Sequence, residues 1–156
     1  MTKRFRFTLL AVLSLALVVA AACYPPAAPV PSSAPAPSND ITDIVWQWTS
    51  VANRVTGETT TVSNPQAYTI TFRDDGTLSG QADCNTFTGT YSTDGGFFIA
   101  STPDVMAACG GDSLDIQYFE LLDAIVTGGP DGAGGLALET AGGEQRMTFV
   151  NGGAAQ

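Results

Sequence analysis

The chain has 156 residues and is acidic, with 15 Asp and Glu against 6 Lys and Arg, a formal charge of −9 and no histidine. Three of the basic residues lie within the first six positions, whereas every acidic residue follows Cys23. Removal of residues 1–22 would therefore leave a charge of −12. A surface of that sign repels phosphate groups, which argues against nucleic-acid binding and against docking on acidic lipid.

Residues 1–22 have the pattern of a secretory signal peptide. Lys3, Arg4 and Arg6 form a basic start, residues 7–22 carry no charge, and small alanines occupy positions 20–22 before the expected cleavage site. As a helix, the uncharged stretch would span roughly 24 Å, which is less than the hydrocarbon core of roughly 30 Å. We therefore expect cleavage rather than a permanent transmembrane helix.

The run Ala20-Ala21-Ala22-Cys23 resembles a bacterial lipobox, in which the cysteine becomes the acylated N-terminus of the mature protein. The resemblance implies an extracytoplasmic lipoprotein anchored to the bacterial cell membrane through Cys23. Two or three acyl chains, such as palmitate, would give durable attachment where one chain would not. Ordinary cleavage after Ala22, leaving Cys23 as a free thiol, is the alternative.

Residues 24–40 consist almost entirely of Pro, Ala, Ser and Val. Such a composition cannot bury a core and favours extended polyproline segments. Residues 23–40 therefore form the predicted lipidated tether, which would hold a domain up to roughly 50 Å from the membrane. Simple disorder of the same segment is the alternative.

A single folded domain is predicted over residues 41–153, with mostly strand periodicity. Large apolar residues recur at every second position in the first two predicted strands, at Ile44, Trp46, Trp48, Tyr68, Ile70 and Phe72. Turn sequences centred on Gly76, Gly95 and Gly142 indicate three hairpins. Their predicted strands include Thr77 to Ala82, the run through Phe87, Gly89 and Tyr91, Phe97 to Ala100, Leu136 to Thr140 and Arg146 to Val150.

One segment has helical spacing instead, with apolar residues at positions 114, 118, 121, 122 and 125. We predict a helix over about 113–126, which Gly128-Gly129-Pro130 would end. Its apolar stripe should cover the sheet. The predicted fold class is α+β, a curled antiparallel β-meander resembling a half-barrel and closed by one amphipathic helix.

Motifs in the middle of the chain resemble the META domain of the HslJ type. The first runs from Asp83 to Tyr91 and the second from Met106 to Cys109, before the amphipathic helix. The loop between Thr102 and Cys109 is longer than the family pattern. The resemblance covers nearly all of residues 41–150 and implies an association with envelope stress tolerance and drug resistance, without an established reaction. It also implies structural roles for the motif residues Trp46, Asn85, Phe87, Gly89, Tyr91 and Met106.

The cysteine count bears on Cys84 and Cys109. Three cysteines leave one unpaired, and lipidation of Cys23 would leave the other two to pair with each other. Outside the cytoplasm such a pair is more often a disulfide than a metal site. We predict a disulfide, with a metal site as the alternative.

The chemistry available to the mature chain is narrow, since it has neither histidine nor lysine to act as a base. We therefore predict no enzymatic activity, no cofactor and no metal. The expected function is that of a non-enzymatic, lipid-anchored envelope protein that binds or supports an envelope component under stress. The alternative is a small-ligand module with Tyr91, Trp48 or Phe97 lining an opening on the concave face, or a weak calcium binder around Asp131.

Overall fold

The computed structural model describes residues 40–156, so the predictions made for the signal peptide, Cys23 and most of the tether lie outside the described residues. One α-helix, α1 (Asp115–Asp123), and two short 3-10 helices, Pro65–Ala67 and Ala141–Gly143, accompany the strands in this part of the chain. The strands are β1 (Ile44–Asn53), β2 (Thr59–Thr61), β3 (Tyr68–Phe72), β4 (Thr77–Ala82), β5 (Asn85–Ser92), β6 (Phe98–Pro103), β7 (Ile125–Pro130), β8 (Leu136–Thr140) and β9 (Gln145–Ala154).

All the strands belong to one antiparallel sheet in the order β6-β5-β4-β3-β1-β9-β8-β7, and β2 pairs with β1 beside this path. Two meanders, β3 to β6 and β7 to β9, are joined through the pairing of β1 with β3 on one side and β9 on the other. The two edges of the sheet meet at one point, where the Phe97 amide donates to the Val126 carbonyl at 2.9 Å. The curled, half-barrel-like α+β fold is therefore confirmed.

The concave side of the sheet is filled by apolar side chains from alternate strand positions and from one face of α1. Trp48, Tyr118 and Phe149 are fully buried, and the rings of Trp48 and Tyr118 lie 5.1 Å apart. Burial of each such large side chain contributes about 1.5 to 3 kcal/mol of transfer free energy. The helix thus supplies the centre of the core and closes the curled sheet, as its apolar spacing predicted.

The three predicted hairpins form, but the helix predicted over about 113–126 is longer than α1 at both ends. α1 ends at Asp123, and Gly128-Gly129-Pro130 lies within β7 instead of terminating a helix. Gly128 pairs with Leu138 of β8, and a Cβ atom on Gly128 would overlap the Leu138 side chain. These glycines therefore allow a strand to pass close to its neighbour. Strands β2 and β7 were not predicted.

Candidate functional site

The connection from β6 to α1, residues 104–114, is held to the sheet at several points and is called the clamped loop below. Its covalent attachment is the disulfide between Cys109 and Cys84, whose Cα atoms lie 5.7 Å apart. Cys84 occupies the tight turn between β4 and β5, where Asp83 has a positive φ of 56°. The predicted disulfide is confirmed, and it ties the clamped loop to a hairpin turn.

Asn85, the first residue of β5, holds the middle of the clamped loop. Its Oδ1 accepts a hydrogen bond from the Ala107 amide at 2.8 Å, and its Nδ2 donates to the Ala107 carbonyl at 3.1 Å. Nδ2 also donates to Asp115 Oδ2 at 3.0 Å and lies 3.3 Å from Cys109 Sγ. The side chain is only 2 % exposed. One buried amide therefore joins the clamped loop to the start of α1 and gives the buried Asp115 carboxylate a partner.

Both ends of the clamped loop are also fixed. At its start, the Asp104 amide donates to the Thr86 carbonyl at 3.0 Å, and the Thr86 hydroxyl donates to Asp104 Oδ2 at 2.8 Å. At its end, the Leu114 amide donates to the Tyr68 hydroxyl at 2.8 Å. The loop is thus positioned by hydrogen bonds at its start, middle and end, although it contains no regular secondary structure.

Between these anchor points the loop exposes apolar side chains. Val105 is 72 % exposed and Met106 is 60 % exposed, and Ala107 and Ala108 are exposed as well. Ile116, which is 64 % exposed, is the neighbour of Asp115, and the Asn85 side chain joins Asp115 to Ala107 of the loop. We call Val105 to Ala108 the apolar run. Four consecutive exposed apolar residues contribute nothing to a core, and such runs are typical of interaction surfaces.

The other motif residues lie apart from this loop. Trp46 and Phe87 are core residues, 3 % and 1 % exposed. Gly89 faces β6 so closely that a Cβ atom would overlap the Ala100 carbonyl oxygen. The Tyr91 hydroxyl donates to the Arg73 carbonyl at 2.9 Å, and burial, together with nearby aspartates, raises the pKa of Tyr91. Of the motif residues, Met106 is therefore the one presented to solvent as a large apolar side chain.

The opening expected on the concave face lies elsewhere. Trp48 is fully buried and Phe97 is 3 % exposed, so aromatic rings occupy the interior. A cavity of about 400 Å³ lies at the rim, beside the free edge of β7. Its lining includes Ile41, Phe97 and Gly128 to Pro130. Of the three aromatic residues considered for an opening on the concave face, Phe97 lines this cavity, which lies at the rim of the sheet and not on its concave face.

Tyr118 was predicted to be a core residue, and its hydroxyl has a property that the sequence did not indicate. Its hydroxyl is fully enclosed and has no hydrogen-bond partner, and burial raises the pKa of this phenol well above its usual value. Helical spacing predicted a buried side chain at this position, but spacing cannot show whether a hydroxyl finds a partner. A buried hydroxyl without a hydrogen-bond partner lowers the stability of the folded state.

Asp131, considered as a calcium ligand, organises its own loop. Its Oδ1 accepts hydrogen bonds from the amides of Ala133 and Gly135 at 2.8 and 2.9 Å, and these bonds lower its pKa. Across residues 40–156, no group of three or more His, Cys, Asp or Glu side chains is arranged to hold a metal ion. In the same residues, no helix has the length and apolar character needed to cross a membrane.

Comparison with known proteins assigns this fold to a family. The META domain family matches residues 39–152, and the chain belongs to that family. A protein from Burkholderia xenovorans, whose structure was determined by NMR, is similar at 21% sequence identity with a TM-score of 0.57, over 71% of this chain and 83% of that one. A crystal structure of a DUF4847 family protein from Bacteroides vulgatus is similar at 18% identity with a TM-score of 0.52, over 70% of this chain and 93% of that one. A comparison with curated proteins gives no match.

Proposed function

We propose that this META-domain protein is a non-enzymatic, lipid-anchored component of the cell envelope that binds another envelope component under stress. The N-terminal sequence pattern and Cys23 support the lipid anchor and the extracytoplasmic location. Membership of the META family is consistent with an envelope role. The absence of histidine and of mature lysine supports a binding role over a catalytic one.

The observation that carries the proposal is the distribution of large apolar side chains. The concave interior is packed with aromatic rings, so it offers little space for a ligand. Several large apolar side chains are instead exposed, among them Val105 and Met106 in the clamped loop and Ile116 in the first turn of α1. Exposed apolar surface on a well-packed domain is typical of contact with another macromolecule.

The experiment is mass spectrometry of the mature N-terminal peptide combined with in-cell crosslinking of the full chain in its native host. We expect an acylated Cys23 and a specific envelope protein that is recovered with the wild type. The variant Cys23→Ser should lose the acyl group and most of the crosslinked partner. An unmodified Cys23 in the wild type would contradict the anchor, and the absence of any specific adduct would contradict the binding role.

The rim cavity supports a second candidate function, the binding of a small ligand. Its volume of about 400 Å³ is adequate for a small organic molecule. Ile41 lines the cavity, and its carbonyl accepts a hydrogen bond from the Trp46 indole at 2.9 Å. Trp46 fluorescence should therefore respond to a ligand in this cavity. A metabolite panel screened on wild type, on Thr127→Leu in the lining and on the distant control Thr88→Leu would test it. Only the first substitution reduces the space in the cavity, so only the first should weaken the response.

A further inference from the structure

We infer that the apolar run Val105 to Ala108, together with Ile116, inserts into an apolar socket on a partner protein, and that the socket is rimmed by lysine or arginine. This inference rests on the proposed function and specifies its surface and the chemistry of its partner. The backbone of the run is held in place on both sides and in its middle. The backbone is fixed directly before the run at Asp104, within it at Ala107 and directly after it at Cys109.

This arrangement leaves the side chains, and not the backbone, available for contact. Asn85 forms hydrogen bonds with both the amide and the carbonyl of Ala107 from the sheet side. Neither backbone group therefore needs a partner from another molecule. Val105 and Met106 carry the exposed apolar area. Because the loop is already ordered, binding would cost little conformational entropy in the backbone, as is common at tight interfaces. Methionine also adapts its shape to a partner pocket more easily than a branched residue does.

The charges around the run define the rim of the partner. Asp104 precedes the run, Asp112 follows it within the clamped loop, and Asp83 lies next to the disulfide-bonded Cys84. The sequence has no Lys or Arg between positions 74 and 145. The three arginines of the described residues form ion pairs elsewhere, with Glu139 and Asp43. The apolar run is thus flanked by carboxylates that have no basic neighbour in the sequence.

This charge pattern indicates which kind of surface binds the apolar run. A membrane surface with anionic headgroups would be repelled by the carboxylates, and a second copy of this chain would bring the same negative charge. A protein socket with a basic rim would be attracted, and its charges would also orient the approach. Electrostatic complementarity and the exposed apolar side chains therefore point to the same kind of partner.

The test places the photo-crosslinking residue p-benzoylphenylalanine at position 106 of the full chain in its native host, with the matched exposed position Val55 as control. Val55 is 74 % exposed and lies in the turn between β1 and β2. We expect a protein adduct from position 106 that is absent from position 55. The crosslinked partner peptide should lie beside Lys or Arg residues that surround an apolar pocket.

A charge variant makes the test specific. Asp112→Lys, combined with the crosslinker at position 106, should lower the adduct yield about fivefold or more, whereas Asp94→Lys, which makes the same charge change in an exposed turn, should have little effect. Melting curves and a thiol assay establish that each variant is folded and disulfide-bonded. Equal effects of the two substitutions would overturn the inference, as would adducts to phospholipid or to a second copy.

Crosslinking at two further positions distinguishes a failure of this binding surface from a failure of the proposed binding role. Crosslinkers at Phe98 and Val150, which are 50 % and 45 % exposed, sample other faces of the domain. A protein adduct from either position with none from position 106 would leave the binding role standing and overturn the surface assigned here. The absence of protein adducts from all these positions would overturn both.

Discussion

The packed interior and the clamped loop contain the same kinds of residue in opposite environments. Met147 is fully buried in β9, whereas Met106 is 60 % exposed, and Val51 is 3 % exposed, whereas Val105 is 72 % exposed. The interior residues are ordered by strand alternation and mutual packing. The loop residues are ordered by a disulfide and by the Asn85 side chain. The comparison shows that apolar residues can be held in place without being buried, when other groups hold the backbone.

The largest expected effect comes from the covalent part of the clamp. The disulfide joins residues 25 positions apart, and chain entropy predicts a stabilisation of about 3.5 kcal/mol for such a loop. The double variant Cys84→Ser with Cys109→Ser should lower the melting temperature by many degrees, as measured by circular dichroism. Reductant should have the same effect on the wild type. A wild-type melting curve that does not change in reductant would contradict this account.

The contrast between buried and exposed apolar residues can be tested on a single helix. Leu122 is fully buried in α1, and Leu122→Ala should cost about 3 kcal/mol through lost transfer free energy and a cavity. Ile116 is 64 % exposed on the same helix, and Ile116→Ala should change stability by less than about 0.5 kcal/mol. Urea unfolding measures both values. Equal losses at the two positions would mean that Ile116 packs in solution.

Removal of the Asn85 amide should destabilise the protein by about 2 kcal/mol, because the Ala107 peptide and the buried Asp115 carboxylate would lose their partner. For Asn85→Ala we also expect faster hydrogen exchange at the amide of Ala107 than in the wild type, while the amides of β8 remain protected. Uniform loss of protection throughout the sheet would show that Asn85 supports the whole fold and not the clamped loop.

Tyr118→Phe should stabilise the protein by about 1 kcal/mol. The substitution removes a buried hydroxyl that has no hydrogen-bond partner and leaves the ring packing unchanged. Tyr68→Phe is the matched control, because the Tyr68 hydroxyl accepts a hydrogen bond from the Leu114 amide and its removal should destabilise. A loss of stability in Tyr118→Phe would indicate that its hydroxyl has a partner in solution, such as a buried water.

The smallest expected effect is a pH dependence of stability that arises in two surface turns outside the clamped loop. Hydrogen bonds from Thr77 to Asp75 and from Ala133 and Gly135 to Asp131 lower the pKa of each carboxyl below 3.8. Folding therefore favours the ionised form, so the contribution is present above the unfolded pKa and is lost as the pH falls through the folded pKa. The melting temperature should decline below about pH 4, and the double variant Asp75→Asn with Asp131→Asn should make that decline shallower.

The sequence predicted the regular part of this fold well, because strand alternation and turn glycines are local signals. Trp46 and Trp48 lie in β1, and the strand predicted from Thr77 to Ala82 has the same limits as β4. The prediction was wrong around Gly128, where a nonlocal contact with Leu138 decides the structure. For the clamped loop, the cysteine count predicted the disulfide. The position of Asn85 against Ala107 and Asp115 depends on three segments that meet only in the folded chain.

The pairing of the first and last long strands has a consequence for biogenesis. β1 lies against β9 along most of its length, and the Ala155 amide reaches the Asp43 carbonyl at 2.9 Å. A nascent chain that still lacks residues 145–154 has no partner for that side of β1, so the sheet can be completed only once those residues have been synthesised. Such late, nonlocal closure folds slowly and keeps the polypeptide extended for longer. In the export that we propose for this chain, this delay would favour passage through a translocation channel before the domain becomes too compact to enter it.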